Sequence, residues 1–181
     1  VIYRETPSQA GIGFAAYTMP KPCWAVVKLE VSPLPRGSGI QFESCANKTK
    51  LFPQYQNHVR ASVAETLRQG LSGWEVTDIL VRLVDGEHHL VHTHPLDFFV
   101  ATPMAVMDAL THTGTTLLEP IWLCTITAPS DCASRLLGEI LHRRGTFDSP
   151  VISGDTLTMQ AQLPVADALD FPIRLAAMTS G

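Results

Sequence analysis

The sequence predicts an α+β protein in two units. Three observations carry this: strands marked by two-residue alternation, helices marked by four-residue stripes, and an interleaved order that closes on a β-α-β-β-α pattern. The division falls near Thr115-Thr116, giving units of residues 1–116 and 117–181. In the first unit, Trp24 to Val31 reads as a half-buried strand, because Cys23, Ala25, Val27, Leu29 and Val31 alternate with residues that become charged at Lys28 and Glu30. The Pro/Gly-rich connection Ser32 to Gly39 leads to a short strand at Ile40 to Glu43. A helix follows at Gln54 to Gln69, with Tyr55, Val59, Val63 and Leu67 on one stripe and Gly70 placed for its C-terminal cap. Val76 to Val84 is a strand with Thr77, Ile79, Val81 and Leu83 on one face, and Asp85-Gly86 is expected to turn the chain. A second helix is expected at Asp97 to His112, kinked or split by Pro103 and ended by Gly114.

The second unit opens after Leu117-Leu118-Glu119-Pro120 with a strand at Ile121 to Thr127. Ser130 is expected to cap a helix whose apolar stripe is Cys132, Leu136, Leu137, Ile140 and Leu141. Strands Thr146 to Ile152 and Asp155 to Leu163 pair across Ser153-Gly154, and a helix at Phe171 to Met178 follows. This is a ferredoxin-like β-α-β-β-α-β sandwich without its last strand.

With 181 residues, 45% of them hydrophobic and 17% charged, the chain is expected to be globular rather than disordered. No apolar run approaches the roughly 20 residues of a membrane helix, and VIYRETPSQ lacks the basic and apolar regions of a signal peptide, so a cytoplasmic protein without a membrane partner is expected. A chain beginning at Val1 is expected to be a fragment. Cys23, Cys45, Cys124 and Cys132 form no C-x-x-C pair and read as reduced thiols. The net charge of -4 argues against a general nucleic-acid binder, DNA included, and makes any RNA contact local. Residues 1–116 hold nine Lys/Arg against ten Asp/Glu, and residues 117–181 hold four against seven, so neither unit is basic.

Phosphate-loop, dinucleotide-binding and G-x-S-x-G motifs do not occur, so the chain itself is not expected to be an enzyme or to hold a cofactor. The candidate site is the loop His88, His89, Leu90, Val91, His92, Thr93 and His94, which carries four of the seven histidines. Three readings stay open: an exposed polar loop, an RNA-contacting loop, and a metal site, although H-H-x-x-H-x-H is not a standard four-ligand zinc spacing. Asp85 and Asp97 flank it and read as a turn residue and a helix N-terminal residue. Pro20-Lys21-Pro22-Cys23-Trp24 is a second candidate, because two prolines stiffen the approach to a strand and Trp24 can either stack on a base or line the core. Arg143-Arg144-Gly145 can grip a phosphate or simply end a helix.

VIYRET, LEVSPLPRGSGIQFES, GLSGWEVTD, the DG-x-x-H-x-V of Asp85 to Val91 and the LLEP of Leu117 to Pro120 together resemble the C-terminal half of elongation factor G and its relatives. Within that group WAVVKLEVSPLPRGSG and GLSGWEVTD are most similar to the tetracycline-resistance ribosomal protection proteins, while Arg143-Arg144-Gly145 and His89 are more similar to elongation factor G itself. The resemblance implies that residues 1–116 have the fold of ribosomal protein S5 domain 2, as in the fourth domain of a ribosome-dependent GTPase, and that 117–181 are a fifth domain cut before its last strand. It implies a ribosome partner, with tip loops Pro20, Lys21, Pro22, Cys23 and His88, His89, Leu90, Val91, His92, Thr93 at the 16S rRNA decoding centre. The second domain would approach 23S rRNA, with Arg143 and Arg144 still open between a phosphate contact and a helix end. GTP and Mg would belong to a G domain outside this chain. Where the protection proteins carry Tyr-Tyr followed by Ser-Pro-Val, this sequence has His88-His89-Leu90-Val91. The reading is therefore a ribosomal protection fragment, with a translocase-like elongation factor and a free-standing metal- or protein-binding module as alternatives.

Overall fold

The computed structural model describes residues 1–18 and 22–179. They form two compact units, Tyr3–Leu118 and Val1–Ile2 with the residues from Glu119 on. The first unit extends through Leu118 because its last strand pairs with its first. In chain order it contains β1 (Arg4–Pro7), β2 (Gly11–Tyr17), β3 (Ala25–Pro33), β4 (Ile40–Ser44), α1 (Pro53–Thr66), β5 (Glu75–Val76), β6 (Ile79–His88), α2 (Asp97–Thr113) and β7 (Thr115–Leu118).

Four strands make the main sheet in the order β2-β3-β6-β4, antiparallel except for the parallel β4-β6 pair. The alternation of β3 buries Ala25, Val27, Leu29 and Val31 completely, and β6 answers with Ile79, Val81 and Leu83. Val59, Val63 and Leu67 of the α1 stripe and Phe98, Ala101, Ala105, Ala109 and Leu110 of α2 close the same core. A smaller sheet, β5-β1-β7, sits beside it.

Several local expectations are corrected. Asp85-Gly86 does not turn the chain; both residues lie inside β6. A bulge at Val84 shifts the register, so that Lys28 faces Asp85 while Leu29 faces Leu83, and the buried face passes from Leu83 to Gly86. Gly86 is there for room: a Cβ would meet Leu51 Cδ2 at 2.7 Å and the Val26 carbonyl at 2.9 Å. Pro103 does not split α2, which runs unbroken from Asp97 to Thr113. Its missing N–H removes one regular helical bond, to the Phe99 carbonyl, and the burial of Ala101, Ala105 and Ala109 against the sheet holds the helix together. Gly114 does end α2, at φ 65°. Helix α1 ends earlier than expected, with Leu67 as its cap, and Gly70 packs against Glu5 instead.

The second unit contains β8 (Ile121–Pro129), a 3-10 turn at Ser130–Cys132, α3 (Ala133–His142), β9 (Thr146–Phe147), β10 (Val151–Ser153), β11 (Thr156–Pro164), α4 (Val165–Ala168) and α5 (Phe171–Thr179). Its antiparallel sheet runs β10-β11-β8, with β9 also on β11, and among the described residues nothing pairs with the other side of β8. Ile126, Ala128, Leu157, Met159, Ala161 and Leu163 face Leu136, Ile140 and Phe171. Pro150 divides the expected strand Thr146 to Ile152 into β9 and β10. Ser130 makes no side-chain cap and Leu141 is 61% exposed, so the stripe of α3 is narrower than its sequence suggests. No helix among the described residues is long and apolar enough to cross a membrane.

Candidate nucleic-acid interface

Strands β3 and β6 end together, with Ala25 opposite His88, so Trp24 and His89 leave the sheet side by side. Asp97 fastens both segments beyond the sheet. Its Oδ2 accepts the backbone N–H of Trp24 at 3.0 Å and of His94 at 2.9 Å, and the residue is 7% exposed. One buried carboxylate thus ties the entry of β3 to the exit of the histidine loop, at a helix N-terminus where negative charge is favoured.

Between those ties the loop folds on itself. The Thr93 N–H donates to the His89 carbonyl at 3.0 Å. The Thr93 hydroxyl accepts the His89 N–H at 2.7 Å and donates to the Trp24 carbonyl at 2.6 Å. His89 Nδ1 accepts the N–H groups of Val91 and His92 at 3.1 and 3.3 Å, its ring stacks on His92 with centroids 4.5 Å apart, and Trp24 lies 5.6 Å away on a tilt. The outward surface is apolar: Leu90 is 82% and Val91 73% exposed.

His88 is placed differently from the exposed position expected for it. Its N–H donates to the Lys50 carbonyl at 3.1 Å, and its Nδ1 donates to the same oxygen at 2.6 Å, since a carbonyl can only accept. The ring lies 4.0 Å from Phe52 and 5.2 Å from Tyr55, which itself stacks on the buried Phe98. His88 therefore anchors the loop. His88→Ala should cost about 1–2 kcal/mol from one lost hydrogen bond and the ring contacts, seen as a lower urea midpoint at unchanged slope.

Cys23 is likewise inside, 5% exposed, and near the Tyr17 hydroxyl. Burial, with help from Cys23 and Asp97, holds the Tyr17 hydroxyl above the ordinary phenol range. Pro22 is exposed, and Pro20 and Lys21 lie outside the described residues. Thus His88, Cys23, His89 and Thr93 build the tip from within, while Pro22, Leu90 and Val91 form its surface with half-exposed His92. Sequence reasoning saw Asp97 only as a helix start; its two bonds to the loop ends need the fold. Among the described residues, no group of three or more His, Cys, Asp or Glu could hold a metal ion.

Arg143 and Arg144, read in sequence as either a phosphate grip or a helix end, follow the end of α3 and are spent on carboxylates. Arg143 pairs with Glu139 at 2.7 Å and Asp170 at 2.6 Å, donates to the Asp167 carbonyl, and lies over the Phe171 ring. Arg144, at φ 58°, grips Glu119 through two 3.0 Å bonds and also meets Asp167. The surrounding cleft of about 550 Å³ sets Arg143, Arg144 and Arg174 against Glu139, Asp167 and Asp170. Hydrogen bonding from Arg143 holds the Asp170 carboxyl below the usual carboxylate range. A depressed folded-state value adds stability above the unfolded value that is lost as pH falls through the folded one. The second unit should therefore weaken on acidification below about pH 4, and Asp170→Asn should flatten that part of a melting-temperature profile.

The family model described as Elongation factor G, domain IV matches residues 1–114. The chain belongs to the elongation factor G family. A second model, Elongation factor G C-terminus, matches residues 116–181. Among curated relatives, tetracycline resistance protein TetP of Clostridium perfringens is 36% identical over 183 residues, covering 99% of this chain. TetO of Campylobacter jejuni is 33% identical over 186 residues, and elongation factor G of Aquifex pyrophilus 30% over 185, each covering 100% of the chain. The chain spans 28%, 28% and 26% of those proteins, respectively. A crystal structure from Thermus thermophilus superposes over the whole chain, and over 28% of its own, with a TM-score of 0.91 at 24% identity, a likeness of fold.

Proposed function

We propose that residues 1–181 are the ribosome-binding C-terminal part of a translational GTPase of the ribosomal protection class. In this reading the tip of the first unit enters the decoding centre of the small subunit, meets 16S rRNA there and releases tetracycline, while the second unit approaches 23S rRNA; the protein acts in the cytoplasm. The observation that supports it is the collinear match of the entire chain to tetracycline resistance proteins. A tip held rigidly by Asp97 and Thr93 suits a part that must displace a bound ligand. The test is ribosome-dependent translation under tetracycline: the full-length protein should restore synthesis, and failure to do so while driving translocation would select the second reading.

That second reading, an elongation factor G-like translocase, is favoured by His88-His89-Leu90-Val91 in place of the protection-type aromatic tip and by the 30% identity to elongation factor G. Under either reading, GTP and Mg are bound by a G domain outside residues 1–181. The chain itself is expected to show no micromolar binding of GTP or GDP by calorimetry, because its sequence offers no phosphate loop with its lysine.

A further inference from the structure

We propose that His89 is a positioning residue that shapes the tip through Nδ1, and that what it presents to RNA is the apolar pair Leu90-Val91 rather than its own imidazole. The inference rests on the ribosome-binding reading for its RNA partner, but its geometric core stands on this chain alone. Two backbone N–H groups, those of Val91 and His92, converge on Nδ1 at 3.1 and 3.3 Å. Both are donors, so Nδ1 carries no proton and offers its lone pair, leaving the ring proton on Nε2. A side-chain acceptor bonded to N–H groups two and three residues ahead is the arrangement Asn and Asp make in local turns. Here an imidazole takes that place, because its Nδ1 hangs from Cγ as the Asn Oδ1 does.

The rest of the loop is built around that acceptor. Thr93 closes the ring of residues through the His89 N–H and carbonyl, and its hydroxyl carries the closure to Trp24 of the neighbouring strand entry. Trp24 and His92 flank the His89 ring, leaving it half-buried and in contact with other rings. Ring contacts that a base would need are already taken up by Trp24 and His92. Leu90 and Val91 are thrust outward at 82% and 73% exposure on a turn with no slack. Such a pair matches the face of an unstacked nucleobase, with which apolar side chains make sequence-tolerant contact. The ligand class is thus a splayed base in RNA.

The experiment compares His89→Asn, His89→Phe and His89→Ala in the full-length protein, in tetracycline-challenged translation and in translocation. Asn keeps an acceptor at the same place and loses the ring; Phe keeps the ring and loses the acceptor. We expect Ala and Phe each to lose about tenfold in activity, the effect of losing roughly one or two hydrogen bonds that order the turn, and Asn to restore most of it. Activity kept by Phe and lost by Asn overturns the inference in favour of direct ring stacking, as does equal activity of all three. Leu90→Ser with Val91→Ser should lose activity at unchanged melting temperature, and full activity of that variant overturns the apolar surface. If the wild-type parent is active in neither assay, the functional reading fails, and the 181-residue chain still decides the geometry. Its ¹⁵N imidazole spectrum should show His89 with the proton on Nε2. The Val91 and His92 amides should exchange faster in His89→Phe than in wild type or His89→Asn. A proton on Nδ1, or equal exchange in wild type and His89→Phe, overturns it.

Discussion

Glu5→Ala should destabilise the first unit by about 3–5 kcal/mol, because three donors lose their shared acceptor at about 1–3 kcal/mol each. Glu5 is fully buried in β1. Its Oε1 accepts the N–H groups of Ser72 at 2.8 Å and Trp74 at 3.0 Å, and its Oε2 accepts the Thr115 hydroxyl at 2.6 Å. One side chain therefore joins the small sheet's first strand, the loop that enters β5, and β7. Alanine leaves three donors without an acceptor and opens a void beside Gly70, which now packs against the carboxylate. Glu5→Gln keeps an oxygen for the two backbone donors, and Thr115 can reverse its hydroxyl to accept from the amide, so its cost should be only about 1–2 kcal/mol. Urea unfolding followed by Trp fluorescence measures both, and an alanine variant within about 1 kcal/mol of wild type would contradict this account of the latch.

Gly13→Ala should cost about 3 kcal/mol, at the upper end for overpacking a core. Strand β2 meets α2 at Gly13, where an added Cβ would stand 2.5 Å from the Ala109 nitrogen and 2.7 Å from its Cβ, and closer still to the Ala105 carbonyl. The nitrogen and carbonyl belong to the helix backbone, which cannot swing aside as a flexible side chain can. The helix would have to lift from the sheet, taking Ala101, Ala105, Ala109 and Leu110 from the core. Thermal melting should show the loss. Gly138→Ala is the contrasting case: in α3 with nothing within 4 Å of the added Cβ, it should raise stability by about 0.5–1 kcal/mol through helix propensity.

Gly13 also explains which elements were legible. Strands β3 and β6 and helix α1 bury large aliphatic residues at their own period, so Val27, Leu29, Val59, Val63, Ile79 and Val81 could be assigned to the core from spacing. Strand β2 reads GIGFAAY. Its inward residues are Gly13 and Ala15 because α2 lies so close, while Ile12 and Phe14 are 50% and 53% exposed, so its pattern is the reverse of a core strand's. Strands β1, β5 and β7 are short, and they are held by pairing and by Glu5 rather than by any apolar period. The bulge at Val84 is similarly invisible, since only the partner strand defines the register it shifts.

By itself, the sequence determined that strands and helices interleave, that one loop concentrates the histidines, and that the motifs are those of elongation factor G, because each of these is written in local composition, period or order. Only the tertiary structure decided the roles within the tip. That His88 points into Phe52 and Tyr55, that Asp97 ties two loops and that Leu90 and Val91 face outward depend on partners up to 73 residues apart, the span of the Trp24–Asp97 bond. The same holds for Arg143 and Arg144, whose charge reads as free in sequence and is matched in space by Glu119, Glu139, Asp167 and Asp170. A residue's type limits what it can do, and burial and long-range partners select which of those things it does.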